Sequence, residues 1–212
     1  MKFEWQKLDG TEVAINSPDE ILGVLNSLKA RHDDAKNAGS KMEAAALEVQ
    51  YDDQYKQWLW CMAFYYQNER KELNILIKKC RQASAWWDHW SAHNGYEGEV
   101  SELQRSLLEG LPRDLWPRSW AEAATILNRN PDFRLPSTDL DMAKQSLAEA
   151  IAIASSCLEM AGDLATRFSK QEKPASAELD IYHAKIVQLK EAMRCSGISS
   201  QAVLNLRGRD RE

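Results

Sequence analysis

The chain has 212 residues, 44% of them hydrophobic and 28% charged, which is ordinary globular usage and excludes disordered and fibrous classes. A formal net charge of −5, spread along the whole length, excludes a polyanionic DNA mimic and a strong basic footprint for nucleic acid. The outlier is tryptophan, present eight times.

Residues 1–16 alternate in polarity. Phe3 and Trp5, then Asp9-Gly10, then Val13 and Ile15 predict a β-hairpin, with Asp-Gly supplying the positive φ that a two-residue turn needs. A lone hairpin is marginal in water, so this one must lie on a helix.

The segment 17–94 follows. Ser17-Pro18-Asp19-Glu20 carries a capping hydroxyl, a proline at the first helical position and a glutamate three residues after the cap, which predicts a helix over 18–37. Lys41 to Asn94 then contains no Gly or Pro and holds five of the eight tryptophans, Trp58, Trp60, Trp86, Trp87 and Trp90. Its stripe Trp58, Met62, Tyr65, Glu69, Leu73, Leu76, Cys80, Ala83, Trp87, Trp90 advances by threes and fours, as one helical face does. An unbroken helix of that length would run on the order of 80 Å at 1.5 Å per residue. Either the molecule is elongated or the helix breaks; the polar run Gln67 to Lys71 and the Ser84 region are the places for a break, though neither carries a true breaker.

Segment 95–136 is punctuated by Pro112, Pro117, Pro131 and Pro136. Short helices are expected over 99–109 and 120–127, with Trp116 and Trp120 folding back onto the bundle. In segment 137–212 a helix beginning at Thr138 and Asp141 runs to about Ser169, with two adjacent apolar stripes that mark contact from more than one side. Pro174 breaks the chain, and Leu179, Tyr182, Ile186, Leu189 and Met193 form the seam of a last helix over 176–194, ended by Gly197. A short connection makes these two helices an antiparallel hairpin. The fold class read from these signals is all-α: an elongated helical bundle with one very long helix, a C-terminal helical hairpin and a small N-terminal β-hairpin, folded as one structural domain.

Candidate chemistry is sparse. His89 and His93, four apart on one helical face, have the spacing that zinc and non-haem iron sites use, although two ligands do not complete a site. Glu69 falls on an apolar stripe, where a carboxylate is either functional or paired with a neighbour. Arg70, Lys71, Lys78, Lys79 and Arg81, beside tryptophan and tyrosine platforms, would suit a single strand of nucleic acid, but Glu69, Glu72 and Asp88 dilute the patch. Phosphate-binding glycine loops and nucleophile elbows are absent from the sequence.

Cys61, Cys80, Cys157 and Cys195 lie far apart on apolar helical stretches, which predicts buried free thiols in a reducing cytoplasm. The longest apolar run, Trp58 to Tyr66, is far short of the ~20 residues that span a bilayer, so no membrane partner is expected. The expected function is therefore non-enzymatic, with no cofactor: a protein-protein interaction module, adaptor or inhibitor, that occupies a partner's surface through Trp58, Trp60, Tyr65, Trp86, Trp87 and Trp90. A second copy is the first partner to expect, as a homodimer or higher, because a long helical stripe favours a symmetric antiparallel pair. The competing classes are a metal-dependent helical enzyme built on His89 and His93 and a single-strand binder using the basic-aromatic face of 70–90.

Overall fold

The computed structural model describes residues 2–93 and 140–197. The expected elements of 95–136 and the charged C-terminal tail lie outside the described residues.

Strands β1 (Phe3–Gln6) and β2 (Glu12–Ile15) form an antiparallel pair in which Trp5 faces Val13 and Phe3 faces Ile15. Their connection differs from the two-residue turn expected of Asp-Gly. Lys7 donates its amide to Thr11 O at 2.8 Å, Gly10 N–H closes back on Lys7 O at 3.0 Å, and only Gly10 takes a positive φ, 82°. The loop is thus the three-residue kind, a tight turn followed by a left-handed glycine. Asp9 secures it by accepting from both the amide and the hydroxyl of Thr11, which holds its carboxyl below the usual range.

Helix α1 (Asp19–Asn37) begins where Ser17 Oγ accepts the Asp19 amide at 3.2 Å, with Pro18 already at helical angles. It ends in a Schellman arrangement: Gly39 at φ 76° donates to Lys36 O and Ser40 donates to Ala35 O. Helix α2 (Lys41–His93) is a single element of 53 residues, the one very long helix read from the sequence, and it stays helical through both Gln67 to Lys71 and Ser84. Neither place contains proline or glycine, and nothing in either removes an i→i−4 bond. Helices α3 (Leu140–Ser169) and α4 (Ser176–Ser196) form the expected antiparallel hairpin.

Contacts divide the chain into two compact units, the first made of Met1–Arg70 and Glu159–Asp180, the second of Lys71–Leu158 and Ile181–Glu212. In the first, the hairpin is clamped to α2 by glutamines. Trp5 Nε1 donates to Gln54 Oε1 at 2.8 Å, Gln54 Nε2 donates to Gln6 O at 3.1 Å, and Gln6 N donates to Gln57 Oε1 at 2.9 Å. On α1, Leu28 and Ala35 pack against Ala44 and Leu47 of α2, with Val24 and Tyr51 beside them. The centre of this unit is aromatic: Phe168 stacks on Tyr66 at 5.7 Å and meets Trp58 edge-on at 5.9 Å. The second unit buries Leu73, Leu76, Ile77, Cys80 and Ala83 of α2, the stripe Ala143, Leu147, Ala150, Ala154 and Cys157 of α3, and Tyr182, Ile186, Leu189 and Met193 of α4. Among the described residues no helix is long and apolar enough to cross a membrane.

Candidate protein-interaction surface

The tryptophans near the middle of α2 part company. Trp58 lies in the core of the first unit, 7% exposed, between Tyr55 at 5.7 Å and Phe168, with the Lys173 ammonium 5.7 Å from its ring centre. It is therefore committed to its own unit and not to a partner face. Trp60 is 50% exposed. Residues two apart on a helix point to nearly opposite sides, so the two could never share one face.

Trp60 stands in a groove of about 400 Å³ within the first unit. Its floor is the α2 backbone stretch carrying Ala63, Phe64 and Gln67. One wall is Phe3 of β1, whose ring lies 5.9 Å from that of Phe64, and the other is formed by Ala165, Thr166 and Ser169 of α3. The wall hydroxyls are turned to the helix itself: Thr166 Oγ1 donates to Gly162 O and Ser169 Oγ to Thr166 O, both within 2.8 Å. What the groove offers an incoming side chain is mostly apolar and aromatic. Phe3 and Phe64 were not among the expected contact residues; the alternation of β1 and the helical spacing of Phe64 from Trp60 are the signals that point to them.

Tyr65 is half-buried and spends its hydroxyl on Glu69, donating to Oε1 at 2.7 Å, while its ring meets Tyr66 at 5.3 Å. This bond gives a hydrogen-bond donor to a carboxylate only 4% exposed on the apolar stripe. Tyr65 stands one turn from Glu69 on the same helix, so the carboxylate is paired with a neighbour.

Trp86, Trp87, Trp90, His89 and His93 belong to α2 by backbone, but their side chains lie outside those described, as do Trp116 and Trp120. Near them, Asp88 pairs with Lys144 of α3 at 2.8 Å. Among the described residues no group of three or more His, Cys, Asp and Glu side chains converges as a metal site would. Of the basic set, Arg70, Lys71, Lys78 and Arg81 are exposed and Lys79 is half-buried. Arg70 lies across Gly162, its Nε 3.5 Å from where a side chain there would begin, so part of its stem is used in packing.

The thiols offer little nucleophilic chemistry. Cys61, Cys80 and Cys157 are buried, and burial, aided by Glu20 and Asp19, pushes the Cys61 thiol up to about 12. Cys195 departs from the expectation of burial: it is exposed one residue before the end of α4, facing Glu191 at 3.5 Å. Glu191 is held down at about 2 by hydrogen bonds from Arg194 and Cys195.

A second groove of about 320 Å³ in the same unit is lined by Glu159, Met160, Asp163, Leu164, Arg167 and Glu178. Its charges are largely paired, with Arg167 Nη1 2.7 Å from Glu178 and 4.0 Å from Asp163.

No protein family matches this chain, and no curated protein and no solved structure is significantly similar to it.

Proposed function

We propose that this chain is a non-enzymatic protein-interaction module, an adaptor or inhibitor that acts by occupying a partner's surface, and that its contact surface is the exposed face of α2 around Trp60. The observation that carries the reading is Trp60 itself, half exposed in an apolar groove while Trp5 and Trp58 are buried in the core. A large amphipathic ring left half in water is unfavourable by about 25 cal/mol per Å² of apolar surface, and interfaces concentrate their binding energy on such rings. Phe3 and Phe64 preorganise the site, since both are held by the glutamine-clamped hairpin and by α2. The free thiols suit a reducing cytoplasm as the place of action.

The test is capture from the native host with tagged wild-type protein and with Trp60→Ala. At least one protein, another chain or an untagged copy of this one, is expected on the wild type and depleted at least about tenfold by the substitution, as for an interface hot spot. The same set of proteins on both would overturn the reading.

A further inference from the structure

On the side of α2 away from Ala44, Leu47 and α1, a second row of residues steps alternately by four and by three: Met42, Ala46, Val49, Asp53, Lys56 and Trp60. All six are exposed, Met42 by 89% and Val49 by 70%. Steps of four and three average 3.5 residues, the repeat that lets two helices keep one seam in register along their length. The same steps continue through Ala63 to Gln67 on the floor of the Trp60 groove.

The order of these residues is self-complementary when the row is read against itself in the opposite direction. With the two-fold axis between Gln54 and Tyr55, Asp53 of one copy meets Lys56 of the other, and the reciprocal pair forms by symmetry. Val49 then meets Trp60, Ala46 meets Ala63, and Met42 meets Gln67. The bulky exposed side chains Met42 and Val49 of one copy are thereby delivered to the groove of the other, which is apolar and open. Such matching of charge to opposite charge and of protrusion to groove is what an isologous interface requires. A parallel pairing would instead set Asp53 against Asp53 and Lys56 against Lys56.

We infer that the occupant of this face is a second copy of the chain, docked antiparallel along α2 in the register that pairs Asp53 with Lys56. The inference rests on the reading of the Trp60 face as a protein-binding surface and names its partner.

Sedimentation velocity on the full chain tests it, with wild type, Asp53→Lys, Lys56→Asp, the equimolar mixture of those two variants, and the double variant. The wild type is expected to dimerise reversibly. Each single reversal puts like charges opposite each other twice and should weaken self-association at least about tenfold. Mixing the two variants restores complementary pairs, as does the double variant, so both should dimerise again; that recovery also shows that the single variants are folded. A wild type that stays monomeric at about 200 μM, well above the micromolar range of weak specific pairs, overturns the inference. Single variants that dimerise as well as wild type also overturn it, because a parallel or shifted register would not feel the reversal. A chain that stays monomeric yet captures a different protein through Trp60 would remove the second copy as occupant and leave the protein-binding reading standing. Failure of both assays would remove both.

Discussion

Trp5 and Gln54, 49 residues apart in sequence, share a buried hydrogen bond of 2.8 Å from the indole N–H to the amide oxygen. This bond joins the hairpin to α2, and the same glutamine holds the backbone of Gln6 through its other end. Phe3, one wall of the Trp60 groove, lies on the strand so fixed. The position of the proposed binding surface thus depends on a glutamine that is itself buried.

Replacing Gln54 with Leu strands a buried indole donor and frees Gln6 O. The expected cost is about 1–3 kcal/mol of stability, because an unmade buried hydrogen bond leaves its desolvation uncompensated. Chemical denaturation monitored by circular dichroism measures it, and a change within about 0.5 kcal/mol, the size of a neutral surface substitution, would show that the clamp is dispensable.

Phe168→Ala removes the ring that stacks on Tyr66 and meets Trp58 edge-on. A loss of about 3–5 kcal/mol is expected for emptying so large a fully buried site. Trp60→Ala, at a half-exposed position, should cost far less, and the ratio of the two in denaturation experiments separates core from surface.

Gln171 takes a left-handed φ of 61° where α3 ends, while its amide donates to Phe168 O and that of Glu172 to Arg167 O. This is the position that glycine usually fills in such a helix end. Gln171→Gly should stabilise the protein by about 0.5–1 kcal/mol, the relief of left-handed strain exceeding the added freedom of the unfolded chain. A destabilisation on thermal or chemical melting would contradict the assignment.

Glu178 accepts from Arg167 at 2.7 Å and from the Ala175 amide at 3.0 Å, and these bonds hold its carboxyl below the ordinary 4.5. A carboxylate depressed in the folded state contributes in full above its ordinary value, and the contribution fades as pH falls below that value and through the folded one. Glu178→Gln should therefore melt lower than wild type at neutral pH, with the gap narrowing as the solution is acidified below the ordinary carboxylate range. A gap independent of pH would assign the effect to packing instead.

Much of the architecture is legible in the residues because its boundaries are chemical. Pro18, Gly39, Pro174 and Gly197 lie at or beside the ends of helices, and the lack of any breaker between Lys41 and His93 foretells one continuous α2. The proposed binding face is less legible. Aromatic density groups Trp58 with Trp60, although helical geometry sends them to opposite sides; only knowing that Phe168 packs on Trp58 shows which of the two faces inward. The groove needs Phe3, Phe64 and Ala165 to converge from three elements, and no spacing along the chain encodes that. Nor does the residue type at position 171 announce a left-handed backbone, because glutamine has no preference for it.

The central claim is that the exposed α2 face around Trp60 meets another protein. Photo-crosslinking in cells addresses it most directly, with a photoreactive amino acid placed at position 49, on the exposed row about three helical turns before Trp60, and for comparison at Ile75, an exposed apolar position of the second unit. Protein adducts from position 49 that disappear when Trp60→Ala is added, with none of comparable yield from position 75, are the predicted result. Absence of adducts from position 49, or adducts indifferent to Trp60, would contradict the account.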